Sequence, residues 1–117
     1  MQDFRSLSVW IKAHALAKNV HVVAGRMRGF ENVVLRDQLF RAALSIPTNI
    51  VEGRAHESER QFARYLRIAF GSAMEAEYLV LFSADIELIS EADFVALTDQ
   101  IVEVKKMLTS LIKRLNQ

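Results

Sequence analysis

At 117 residues, with 51% apolar side chains and a net charge of +1, the chain is long enough for one domain with its own core and is not composed like a disordered segment. It lacks cysteine, which excludes disulfides and thiolate metal sites and fits the cytosol. The first residues, Met1-Gln-Asp-Phe-Arg-Ser, carry no signal-peptide apolar core, and no uncharged run is long enough to cross a bilayer, so a cytoplasmic protein with no membrane association is expected.

Phe4 and Leu7 are expected to strap the N-terminus onto the core. Trp10, Ala13, Ala17, Val20, Ala24 and Met27 recur in steps of three and four, predicting a helix over residues 9–28 with Gly29 as its C-terminal cap. Leu35, Leu39, Ala42, Ile46 and Ile50 predict a second over 33–52, ended by Gly53. Pro47 falls inside it. Proline removes one helical hydrogen bond and crowds the carbonyl of Ala43, so a kink that tertiary contacts must offset is expected there. Ser58 and Gln61 have capping-box spacing and open a long helix that continues to about Ile89, with Phe62, Leu66, Ala69, Ala73, Ala76 and Val80 as its core stripe. Ser90 and Asp93 open a fourth, in which Phe94, Leu97, Ile101, Val104, Leu108, Leu111 and Leu115 keep three-four spacing to the end. Amphipathic helices with short connections bury their stripes by packing together. The expected fold is all-α, an antiparallel up-down-up-down four-helix bundle with a proline-kinked second helix, in one domain over 1–117.

The third helix carries more apolar surface than one bundle face needs. Gly71, Tyr78 and Phe82 fall opposite its core stripe, with Met74 partway round, which predicts an interface between copies of the chain. Arg60, Arg64 and Arg67 stand at i, i+4 and i+7 on the same helix, with Arg54 and His56 in the loop before it. Such an edge suits the phosphates of RNA, while ion pairing with Glu57, Glu59 or the acidic surface of a neighbouring subunit's third or fourth helix is the competing reading. Lys105, Lys106, Lys113 and Arg114 complement the dipole of the last helix.

A catalytic constellation is missing from the sequence. His14, His21 and His56 form no zinc or di-iron pattern, no glycine-rich phosphate loop is present, and no arginine precedes a histidine at the short interval that helical ribonucleases use. Glu52 shares a polar stripe with Gln38, Arg41, Ser45 and Asn49, which points to a hydrogen-bond network rather than to a reaction. Neither a cofactor nor a metal is expected.

Phe4-Arg-x-Leu7, Val9-Trp10-x-Lys12-Ala13, Gln38-Leu-x-Arg-Ala-Ala43, Ser45-Ile-Pro47-x-Asn49-Ile50, Glu52-Gly53 and Ala69-x-Gly-Ser72 with Glu75 together resemble the bacterial four-helix-bundle family named for ribosomal-RNA intervening sequences. The resemblance implies a pentameric barrel of helical subunits. It extends in fold to the accessory variability determinant of diversity-generating retroelements, which binds nucleic acid and a reverse transcriptase. The chain departs from the family pattern in a short Phe30-Glu-Asn-Val connection without proline, in Phe40 where arginine is common, and in His56 in place of a basic residue. The expected function is a non-enzymatic homo-oligomeric scaffold that takes RNA or a nucleic-acid-processing protein on its basic edge. A protein-only interaction module and a small helical nuclease are the alternatives.

Overall fold

The computed structural model describes residues 3–116 and contains four long helices with no strand among them. Helix α1 spans Ser8–Gly25, α2 Val33–Arg54, α3 Glu59–Asp85 and α4 Glu91–Leu115, with single turns of 3-10 helix at Phe4–Ser6 and Phe30–Asn32. Each helix packs on its neighbours in the chain, α4 closes the ring on α1, and no diagonal pair comes together. The result is a four-cornered bundle of 45 × 21 × 20 Å. Its interior is built on the stripes read from the sequence: Ala13 and Val20 of α1, Leu39, Ile46 and Ile50 of α2, Leu66 and Val80 of α3, and Leu97, Ile101 and Leu108 of α4 are all buried, and Leu16, outside the expected α1 stripe, joins them. Phe4 meets Trp10 edge-on at 5.0 Å, and Leu7 packs against the core, so the N-terminal turn is strapped as expected.

Helix starts follow their serines. Ser58 Oγ accepts from the Gln61 N–H at 3.3 Å and Ser90 Oγ from the Asp93 N–H at 3.1 Å. Glu91 and Asp93 in the first turn of α4, and Lys113 and Arg114 in its last, oppose the partial charges of the helix ends. Helix ends depart from expectation three times. Helix α1 stops at Gly25 rather than 28, where the Arg26 and Met27 N–H groups turn to the Val23 and Ala24 carbonyls three residues back; the Met27 and Arg28 carbonyls accept from the Arg36 guanidinium (3.0 Å) and the Asn32 amide (2.7 Å). Gly29 opens the following turn at φ 100° and does not cap α1. Helix α3 stops at Asp85, short of Ile89, through a Schellman closure in which the Leu88 N–H reaches the Ser83 carbonyl and the Glu87 N–H that of Ala84. The left-handed residue there is Glu87, at φ 62°, so no glycine advertised the stop.

Gly53 is the third departure: α2 runs through it to Arg54. The glycine is buried where α2 meets α3, and a Cβ on it would lie 2.7 Å from Tyr65 Cβ and 3.0 Å from Phe62 Cδ1. Close approach of two helices, not a left-handed turn, is what requires glycine here. Pro47 is likewise buried inside a helix that continues past it. The side chains that follow it add bonds to the preceding turn: Thr48 Oγ1 donates to the Leu44 carbonyl at 2.8 Å, and Asn49 Nδ2 to the Ser45 carbonyl at 2.8 Å and Ser45 Oγ at 2.9 Å.

Replacing Gly53 by alanine should lower stability. The gain in helix propensity is about 1 kcal/mol, whereas forcing a methyl against Tyr65 and Phe62 costs about 1–3 kcal/mol. Urea unfolding measures the balance, and a raised midpoint would contradict the close approach. Asn49→Ala removes the bonds to Ser45 and should cost about 1–2 kcal/mol in the same assay. An unchanged midpoint would mean the seam adds nothing.

Candidate functional site: the outer face of helix α3

The seam between α2 and α3 is polar on its outer side. Ser45 Oγ lies 2.8 Å from Ser72 Oγ, and hydroxyl protons can be placed so that every bond runs one way, from Asn49 Nδ2 to Ser45, to Ser72, and to the Ile68 carbonyl at 3.3 Å. Gln38 Nε2 donates to Glu75 Oε2 at 3.2 Å further along. Of the stripe read from the sequence, Gln38, Ser45 and Asn49 join this network. Glu52 is exposed and makes no side-chain hydrogen bond to another described residue, so it has no place in a network within the bundle.

The face of α3 turned away from the core carries two different chemistries. Arg60, Arg64 and Arg67 project from its first half and are all exposed. Gly71, Met74, Tyr78 and Phe82 continue the same face through its second half. Tyr78 is 59% exposed, Met74 46% and Phe82 41%, large values for side chains of this size. The two rings touch at 6.3 Å, and Leu81 and Ile86 nearby in the chain are exposed as well. A Cβ added at Gly71 would meet nothing within 4 Å, so no part of this chain approaches it.

The acids nearest in sequence do not neutralise those arginines. Among the described residues, Glu77 holds Lys105 at 2.7 Å, Asp93 holds Arg26 at 2.8 Å and Glu103 holds Lys12 at 3.6 Å, tying α3 to α4 and α4 to α1. No described carboxylate lies within 4.0 Å of Arg60, Arg64 or Arg67. Pairing with Glu57 or Glu59, the intramolecular part of the competing reading, is therefore absent among the described residues. Arg54 and His56 are differently placed. Arg54 is half-buried, with its guanidinium 5.5 Å from the Phe62 ring centre, and His56 stacks on Tyr65 at 5.2 Å. Both pack on the start of α3, and His56 remains exposed beside the three α3 arginines.

His14 stacks on Trp10 at 4.7 Å, and His21 rests against Phe40 at 5.2 Å. Among the described residues no three metal-ligating side chains converge, and no helix is long and apolar enough to cross a membrane.

Periodicity missed the other wall of the basic face. Because α3 and α4 are antiparallel, the end of α4 lies beside the start of α3, and Lys113 and Thr109 line one cleft with Arg67 and Phe70. The sequence signal was present in Lys105, Lys106 and Lys113, but dipole compensation accounts for such residues at a helix end equally well.

Comparison with known proteins agrees with this architecture. A crystal structure of a protein with unknown function, from the S23 ribosomal protein family of Bacteroides thetaiotaomicron, superposes with a TM-score of 0.84 at 26% identity, covering 90% of this chain and 98% of that one. No curated protein matches. The model of the 23S rRNA-intervening sequence protein family matches residues 5–110, nearly the whole bundle, and the chain belongs to that family.

Proposed function

We propose that this protein is a non-enzymatic, homo-oligomeric scaffold that assembles through the second half of the outer α3 face and binds RNA along the first half. The observation that supports this reading is the division of one helix face into an arginine-bearing part and an aromatic part, neither covered by the chain's own helices. Tyr78 and Phe82 bring the large aromatic area characteristic of interface cores, and the open backbone at Gly71 lets a neighbouring helix come close. A patch used head-to-tail closes a ring when the rotation between copies is uniform, and the family resemblance gives that ring five members. In a ring the arginine edges repeat, so one RNA strand meets several copies of a weak site.

Affinity then comes from cations released by neutralised phosphates, not from the reading of bases. A nucleic-acid-processing protein is the other partner such a basic edge would take. Catalysis finds no support in the geometry, since no base, nucleophile and orienting group meet at the arginine edge.

Phe82→Asp should dissociate the assembly by placing a charge in an apolar contact, while the monomer stays helical. Light scattering reads the mass, and an unchanged oligomer would remove this face from the interface. Arg60→Glu, Arg64→Glu and Arg67→Glu combined should abolish RNA binding without changing mass or circular dichroism. For the wild type, the affinity for RNA should fall steeply as salt rises. Equal affinity of the triple variant would refute the arginine edge, and cleavage of the RNA by metal-free wild type would restore a nuclease.

A further inference from the structure

Two adjoining clefts run between the outer edges of α3 and α4. One, of about 500 Å³, is lined by Phe70, Val102, Lys105, Lys106, Thr109, Ser110 and Lys113. The other, of about 220 Å³, adds Arg67 and Ile112 and shares Phe70, Thr109 and Lys113 with the first. Every ionisable side chain in this groove is a cation. Lys105 is engaged by Glu77, but no described carboxylate lies within 4.0 Å of Arg67, Lys106 or Lys113, all of them exposed. Arg26 and Asp93 close on each other in a third cleft, Asp99 and Glu103 line a fourth beside Lys106, and Lys106 and Arg114 line a fifth against the N-terminal turn.

The floor of the groove is not basic. Phe70 is half-buried and packs against the core, which fixes its ring, and the Thr109 and Ser110 hydroxyls stand beside it. Antiparallel packing assembles this set: Arg67 and Phe70 are one turn apart on α3, and Lys105, Thr109 and Lys113 are successive turns of α4. Cations that share a groove with an anchored aromatic ring and hydroxyls are what a strand of unpaired nucleotides uses.

We infer that the α3–α4 groove seats single-stranded RNA, with phosphates on Arg67, Lys106 and Lys113 and an unpaired base against Phe70. The inference rests on the RNA-binding reading above and adds to it a second wall and a preference. The ring is reachable only by a base whose face is free, so a duplex, with its bases stacked inside, can use the cations alone. An acidic peptide likewise satisfies the charges and leaves the ring and hydroxyls without matching chemistry.

The test uses the whole oligomeric protein and three labelled probes at low salt: a 15-nucleotide oligouridylate, a blunt RNA duplex of equal length, and polyglutamate. Lys106→Glu with Lys113→Glu should weaken oligouridylate binding at least tenfold and flatten its salt dependence. Phe70→Leu keeps an apolar filling and the charge, and should weaken oligouridylate about tenfold while leaving duplex binding unchanged. Retained oligouridylate affinity in the lysine variant, alongside loss in the Arg60/Arg64/Arg67 variant, would overturn the groove and leave the arginine edge standing. No binding of any RNA by wild type would overturn both. Equal affinity for strand and duplex would remove the role of Phe70, and polyglutamate binding as tight as oligouridylate would assign the groove to an acidic protein instead.

Discussion

The contact of α2 with α3 is what the rest of the molecule depends on. It is the most extensive helix pair in the bundle, and small residues let it close: Gly53 lies against Phe62 and Tyr65, and Ser45 meets Ser72 at 2.8 Å. Gly53 admits the Phe62 and Tyr65 side chains where a methyl group would collide. That seat fixes the loop into α3, and with it the direction in which Arg60, Arg64 and Arg67 project. Pro47 is tolerated because it lies inside this packing, where burial offsets the roughly 3 kcal/mol a helix-interior proline costs.

Once α2 and α3 are joined, both flanks of α3 are committed. Ser45, Ser72, Gln38 and Glu75 bond across one side, and Lys105 and Glu77 across the other. What remains is its outward face, and there the sequence places arginines followed by aromatics instead of the mixed polar residues of a solvated helix. A single exposed Tyr or Phe would mean little. Tyr78 and Phe82 in contact, with Leu81 and Ile86 exposed close by in the chain, form a patch of the kind that partners cover.

The fold was largely legible in the sequence because a three-four stripe on four segments with serine starts admits few other packings. The buried positions follow those stripes from Ala13 to Leu108. Helix ends were less legible, for a physical reason: glycine reads as the sign of a stop, whereas Gly53 serves close approach and Glu87 holds the left-handed position. The site was legible in part. Helical spacing alone put Arg60, Arg64 and Arg67 on one face with Gly71, Tyr78 and Phe82, but spacing within a helix says nothing of the helix beside it. Lys106, Thr109 and Lys113 became visible as one wall of a groove only when α4 was seen to run antiparallel to α3.

The central claim is that the outer face of α3 is covered by further copies of the chain. Sedimentation velocity of the unmodified protein over a range of micromolar concentrations tests it most directly. The account predicts one species at a multiple of the 13.3 kDa subunit mass, persisting in high salt because apolar contacts hold it. A single 13.3 kDa species at every concentration would contradict it.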